Sequence, residues 1–458
     1  MTSATPLILA ALVTTAACAR AEAPVVPAPM PASSAASAGQ HAAPTDDSPA
    51  RADTTHLRAA RLLDVEVGAY RPDVLITVVD GRIAGVRPAT DAAVPDGTLD
   101  LGDRTVLPGL IDLHTHLADR GWLPEAEFDY WAMPAPAFGI VAAANARTTL
   151  HAGFTTVRNV SEPFFAGTAI RDAIEAGWTE GPRVFASGPM ISITGGHGAW
   201  GNWLGPQHEL TTPAHAVADG EVEVRRTVRE QIRANVDLIK ISATGGFGSA
   251  GTVPGAASYT EAELHAAVDE ARKRGIHVAV HAHGEEGILN AIAAGAHTIE
   301  HASLIDDAGI AAAREAGTWV VMDLLAAHYD LIEVSRDYSD KELVGDNEAT
   351  YHDIEARFRR VYEAGIRMAF GTDAGVVPHG RNAEQFALMV AAGMTPEDAI
   401  RSATIRAAEL LGIADDTGHL RVGARADLVA VAGDPLGDPS VLTEIDFVMK
   451  AGRVVRGR

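Results

Sequence analysis

One arrangement recurs along the middle of the chain and leaves few folds open. A helical stretch ends in glycine and a short apolar strand follows at once, in "HAGFTTVRNV", "KRGIHVAVHAHG", "AAGAHTIEHAS", "EAGTWVVMDLL" and "EAGIRMAFGTD". Glycine suits that position because the residue closing a helix often takes positive φ, which other side chains resist. The segments "LIDLHTHL", "RVFASGPMIS" and "DLIKISAT" supply three more strands, alternating with helical stretches such as "EAELHAAVDEARKRG". Eight strand–helix units in roughly 300 residues is the count of an α/β fold, the (β/α)8 barrel. An open doubly wound sheet is the competing arrangement, but no glycine-rich phosphate loop follows the first strand.

Both ends of this region read differently. "DVLITVVDGRIAGVRPA" alternates apolar and polar residues around Asp80-Gly81, a hairpin signal. "ADLVAVAGDPL" and "DFVMKAGRVVRGR" repeat the style, with Ala451-Gly452 at a second turn. The pattern predicts one small β domain built from both ends, over 54–107 and 417–458, around a barrel over 108–416.

The first fifty residues belong to neither unit. "PLILAALVTTAA" has the length of a signal-peptide core and is too short to span a bilayer. Residues 1–23 are therefore expected to be an export leader, and 24–53, rich in Ala, Pro and Ser, a disordered tether. Cys18 follows Thr15-Ala16-Ala17, which resembles a bacterial lipoprotein cleavage box, with Thr where that box has Leu and no Lys or Arg at the start. The expectation is an exported protein, periplasmic or held at a membrane by a lipid on Cys18.

Charge and cysteine content narrow the function. A net charge of −23 repels phosphate and argues against nucleic acid as a partner. With Cys18 the only cysteine, neither a disulfide framework nor a thiolate metal site can form, which leaves the 18 histidines as candidate ligands.

Active sites of such barrels lie at the C-terminal ends of the strands. His114 and His116 are two apart near the end of the first strand, so their side chains share a face. His281 and His283 repeat that spacing on the fifth strand, His301 ends the sixth and Asp373 ends the eighth. Six metal-compatible groups at one end of one scaffold are hard to explain as structural. At the matching height of the fourth strand stands Lys240, flanked by Ile239 and Ile241. A lysine is almost never fully buried without a partner. The neighbouring acid, Asp237, points to the opposite face of its strand.

"LPGLIDLHTHL", the lysine of "DLIKISAT", "VHAHG", "IEHAS" and "GTDAG" together resemble the metal-dependent amidohydrolase superfamily over residues 54–458. "SGPMISITGGHG" and "TDAGVVPHGRNAEQF" resemble the branch of Xaa-Pro dipeptidases, ochratoxin-hydrolysing amidases and imidazolonepropionase-like proteins. "GHLRVGARADLVAVAGDPL" resembles the strand that completes the superfamily's β-sandwich. The resemblance implies two divalent metal ions, usually zinc, one held by His114, His116 and Asp373 and the other by His281 and His301. It also implies that Lys240 reacts with CO2 to form a carbamate that bridges the ions. The physics agrees: burial disfavours the ammonium and exposes the neutral amine that CO2 needs.

The implied reaction is hydrolysis of an amide to a C-terminal amino acid, in a dipeptide or N-acyl amino acid, by metal-activated hydroxide. Asp373 would carry the proton from water to the leaving amine. His283 would donate to the developing oxyanion or touch the substrate. A protein of this charge that binds a carboxylate must supply local donors. Arg158 and His197 are the candidates, with a structural ion pair the other reading of Arg158. Tyr259 resembles a residue that contacts the reacting group in this branch. The loops "ADRGWLPEAEFDYWAMPAP" and "AAHYDLIEVSRDYSDKELVGD" are expected to wall the pocket. The partner is then a small molecule or short peptide, and a homo-oligomer is expected. Ring opening of a cyclic amide, imidazolone or lactone is the alternative on the same scaffold. Deamination is disfavoured, because deaminases generally use one metal and lack the lysine. A non-catalytic exported binding protein would have lost ligands, and none is missing.

Overall fold

The computed structural model describes residues 53–91, 94–119, 133–199, 202, 216–247, 249, 251–334 and 347–457. The expected leader with its Cys18, and the expected tether apart from Asp53, lie outside them. So do residues 120–132 and 335–346, which make up most of the two loops expected to wall the pocket.

The strands in chain order are β1 (Thr54–Asp64), β2 (Ala69–Val79), β3 (Arg82–Pro88), β4 (Leu99–Asp100), β5 (Arg104–Pro108), β6 (Leu110–Thr115), β7 (Phe154–Asn159) and β8 (Arg183–Ala186). They continue with β9 (Leu238–Ser242), β10 (His277–Ala282), β11 (Thr298–His301), β12 (Trp319–Val321), β13 (Leu428–Ala432), β14 (Phe447–Lys450) and β15 (Arg453–Arg456). The two ends of the chain meet in one eight-stranded sheet ordered β15-β14-β13-β5-β1-β2-β3, with β4 on β1. Alternation accounts for its buried face, where Leu57, Val74, Ile76, Val106, Leu428 and Phe447 pack together.

The chain leaves that sheet at Gly109, between β5 and β6. A Cβ there would stand 2.2 Å from Thr155 Oγ1, so only glycine lets the two segments pass. β6, β7 and β8 then pair in parallel, as do β9, β10, β11 and β12. Helices separate the strands, among them Ala135–His151, Glu261–Arg272 and Asp307–Ala316. The five glycines of the repeat behave as their position demands: Gly153, Gly275, Gly295, Gly317 and Gly365 all have φ between +67° and +100°. Covered on both faces, the parallel strands are rich in apolar residues, with Phe154, Val157, Ile239, Ile241, Val280, Ile299 and Val320 in one buried cluster.

Hydrogen bonds tie these parallel groups to flanking segments. Ile191 N donates to Lys240 O and Ser242 N to Ile191 O, each at 2.9 Å, which joins the chain after β8 to β9. Val320 N donates to Arg367 O at 2.9 Å, and Leu113 N to Phe370 O at 3.0 Å. The segment around "RMAFGTD", expected as an eighth strand, is thus extended between β12 and β6 but forms no regular ladder. Isolated bridges, Val320–Met368 and Thr115–Ala374, hold it, and Asp373 at φ 57° breaks the extended run.

Candidate metal centre

Four of the parallel strands bring one or two polar side chains to the site. β6 carries His114, with His116 just beyond it. β9 carries Lys240, β10 carries His281 with His283 beyond it, and β11 ends on His301. The donor atoms of His114, His116 and Asp373 lie within 4.8 Å of one another, as do those of His281, His283 and His301. A third group, His301, Asp323 and Asp373, shares a member with each of the others and makes the three continuous. His301 and Asp373 reach this cluster from left-handed backbone, at φ 69° and 57°. Such a conformation costs of order 1–3 kcal/mol for a side-chain-bearing residue and is typical of functional sites.

The rings are oriented by what their outer nitrogens touch. His116 Nδ1 donates to Ser161 O at 3.2 Å, and His281 Nε2 donates to Gly245 O at 3.2 Å. His114 Nδ1 faces Glu300 Oε2 at 2.9 Å, and His301 Nδ1 faces Asp323 Oδ2 at 2.8 Å. His283 Nδ1 pairs with Ser303 Oγ at 3.0 Å. The other nitrogen of each ring is left for the cluster. Nε2 of His116 and Nε2 of His114 lie 2.9 and 3.5 Å from Oδ1 of Asp373. That oxygen and Lys240 Nζ are both buried, and neither has an aligned hydrogen bond among the described residues. Imidazole nitrogens and an orphaned carboxylate oxygen this close together are donors that suit a divalent cation.

Electrostatics agree. Burial pushes His114 down to about 3 and holds His281 and His283 well below the usual histidine range, so these rings are neutral, as ligands must be. Burial would also lower His116, but the Asp373 carboxylate beside it wins and lifts it to about 9. Burial would raise Asp373, yet His114 and His116 hold it far below the usual carboxylate range. Lys240 is 1% exposed, and burial brings its amine down to about 8.

Two expected substrate contacts, Arg158 and Tyr259, are engaged by other groups of the protein. Arg158 is 2% exposed and fully engaged: Nε donates to Leu113 O at 2.6 Å, Nη1 to Thr298 Oγ1 at 3.1 Å and Nη2 to Glu300 Oε1 at 2.6 Å. It is the structural partner of a buried acid, and each of its three nitrogens already donates inside the protein. Tyr259 is 1% exposed and its hydroxyl donates to Ala218 O at 2.7 Å. His197 does adjoin the centre. Its ring lies 4.2 Å from that of His281 and its Nδ1 pairs with Ser249 Oγ at 2.6 Å.

Three buried acids around the cluster carry no spacing signature. Glu300 is held well below the carboxylate range: burial would raise it, but Arg158, His114 and Lys240 prevail. Asp112 accepts from Thr372 Oγ1 at 2.6 Å, Asn382 Nδ2 at 2.7 Å and the His114 backbone at 3.1 Å, joining the two ligand-bearing segments. Asp323 backs His301. The signal that finds Lys240, a charge inside an apolar strand, also marks Glu300 in "TIEH" and Asp112 in "LIDLHT".

A model of the amidohydrolase family matches residues 105–455. The chain belongs to that family. Ochratoxinase of Aspergillus niger is 32% identical to this amidohydrolase over 374 residues, 77% of this chain and 76% of its own. The crystal structure of a Xaa-Pro dipeptidase with methionine bound in its active site matches with a TM-score of 0.83 at 34% identity, over 88% of this chain and all (100%) of the other. Imidazolonepropionase of Cutibacterium acnes is 27% identical over 410 residues, 85% of this chain and 92% of its own. This amidohydrolase is therefore a hydrolytic enzyme for amide bonds in the branch that contains these relatives, with a fold of TIM-barrel type. The His and Asp groups described above are its candidate metal sites.

Proposed function

We propose that this amidohydrolase cleaves the amide joining an acyl group to a C-terminal amino acid, in a dipeptide or N-acyl amino acid, at a centre of two divalent ions. The observation that carries the reading is the continuous donor set, with the unpartnered Lys240 amine buried beside it. His114, His116 and Asp373 would hold one ion, and His281 and His301 the other. Lys240 would hold both through a carbamate, formed when its neutral amine attacks CO2 and releases a proton. Bound there, divalent ions (zinc by the character of the donors) supply Lewis-acid charge and lower the pKa of water towards neutrality.

The remaining steps fall to the chain. Asp373 takes the proton of the attacking water and returns it to the nitrogen of the leaving amino acid. His283, its Nδ1 occupied by Ser303, turns Nε2 to the reacting carbonyl and donates to the oxygen as charge builds there. His197, pushed down to about 3 by burial, is a neutral donor, and its Nε2 is the group left to take the substrate carboxylate. Similarity to a dipeptidase with methionine bound in its active site supports an amino acid as product.

The scaffold fits the same reading. The hydrogen bonds that tie Ile191 to β9, Arg367 to β12 and Phe370 to β6 support a closed (β/α)8 barrel. The terminal strands support a small β-sandwich-type domain made by both ends. The leader-like start supports export, to the periplasm or to a lipid anchor at Cys18.

Similarity to imidazolonepropionase favours a second reading, ring opening of a cyclic amide. One screen separates them: N-acyl amino acids, dipeptides, their C-terminal carboxamides and cyclic amides, offered with Zn2+ and bicarbonate. A carboxylate anchor predicts that the carboxamides lose at least about ten- to hundredfold in kcat/KM, because a buried donor is left unpaired. Equal turnover of acid and carboxamide would end the anchor idea, and turnover of cyclic amides alone would establish the second reading.

A further inference from the structure

Arg158 joins a chain of buried groups that leads to the centre. Glu300 is inaccessible to solvent, as are Thr298 and, within 1–2%, His114 and Arg158. Glu300 Oε1 accepts from Arg158 Nη2 at 2.6 Å and from the Thr298 hydroxyl, while Oε2 lies 2.9 Å from His114 Nδ1. Arg158 Nε also donates to the carbonyl of Leu113, the residue before His114, at 2.6 Å. One guanidinium therefore fixes both the carboxylate behind the ligand ring and the peptide that carries it, spanning β6, β7 and β11.

We infer that Glu300 is a positioning residue that fixes His114 as an Nε2 ligand, and that Arg158 holds Glu300 in place for that task. An ionised carboxylate only accepts, so the His114 proton sits on Nδ1 and the Nε2 lone pair faces Asp373. A carboxylate behind a ligand imidazole also raises its basicity towards the metal. Among the described residues the outer nitrogens of His116 and His281 face backbone carbonyls, so Glu300 gives His114 something those rings lack. Stability does not explain the arrangement, since a buried Arg–Glu pair is often matched by apolar residues of similar volume.

The inference rests on the two-ion reading, and the test keeps the two apart. Full-length wild type, Glu300→Gln and the double variant Arg158→Met/Glu300→Gln are stripped with a chelator and titrated with Zn2+ in the presence of bicarbonate, following bound metal. The double variant is included because the single one leaves a guanidinium buried without its counter-charge. Both variants should bind the ion at His114 about 10–100-fold more weakly, with the circular dichroism of the double variant unchanged. A folded double variant with wild-type Zn2+ affinity overturns the inference, whereas a wild type that takes up no Zn2+ overturns the two-ion reading itself. Nitrogen-15 NMR of metal-free wild type, with the His114 ring identified through His114→Asn, gives an answer independent of variant folding. The Nδ1–H tautomer is expected, and the Nε2–H tautomer contradicts the role assigned to Glu300.

Discussion

Asp237 sets its carboxylate against Arg171, with Oδ2 2.7 Å from Nη1, and also accepts from the Ala186 amide at 2.8 Å. The acid next to β9 in sequence is therefore committed away from Lys240, whose Nζ has no hydrogen bond among the described residues. A bare ammonium in that position is costly, and an amine that becomes a metal-bound carbamate is not. Lys240→Ala should lose metal and turnover together, and a short carboxylic acid that fits the gap should restore part of both. Metal analysis and turnover of the variant decide the matter; two ions and full rate would remove the carbamate from the mechanism.

Carbamate formation should carry a pH signature. Burial brings Lys240 from 10.5 to about 8, with Glu300, Asp373 and Asp323 opposing and Arg158 reinforcing the shift. Only the neutral amine attacks CO2, and its fraction grows about tenfold per pH unit below the pKa, then levels off. At fixed dissolved CO2, reactivation of the metal-free enzyme by Zn2+ should accelerate with rising pH and flatten above about 8. A rate still climbing steeply through pH values well above that would mean an unshifted amine.

Asp373→Asn should keep the fold and much of the metal, because the amide oxygen can still coordinate. Proton transfer is what it loses, and a general acid–base role is worth about 10²–10⁴ in rate. Steady-state kinetics at full metal loading measure it, and a drop under about tenfold would assign the proton to another group.

Gly246 tests His197. A Cβ at Gly246 would come within 2.3 Å of His197 Nδ1, and an imidazole ring cannot yield as a flexible chain end does. Gly246→Ala should displace the ring and lower kcat/KM by up to about 10²-fold, as small misplacements near the reacting groups do. Bound zinc should hardly change, while the overpacking should cost about 1–3 kcal/mol of stability. Wild-type kcat/KM with a crystallographically shifted ring would remove His197 from substrate binding.

The repeat that predicts alternating helices and strands is legible because each glycine has one job, closing a helix at positive φ. The candidate metal site is legible because a strand end and a two-residue spacing place His114 with His116 and His281 with His283 on one face. What sequence leaves open is which distant groups compete for a side chain once it arrives. Arg158 stands at the right strand end to meet a substrate, but Glu300, 142 positions away, takes its guanidinium. Tyr259 is claimed by a backbone carbonyl 41 positions away. The segment before Asp373 has the apolar pattern of a strand, yet it forms only isolated bridges and Asp373 turns left-handed, and apolar periodicity carries no sign of either.

Two ions held through a carbamate on Lys240 are tested most directly by loading metal-free enzyme with Zn2+ and carbon-13 bicarbonate, then recording metal content and the carbon-13 spectrum together. The prediction is two ions per chain and one carbamate carbon resonance, with both the resonance and the second ion lost in Lys240→Ala. Full zinc loading and full turnover without a carbamate resonance in the wild type would contradict it.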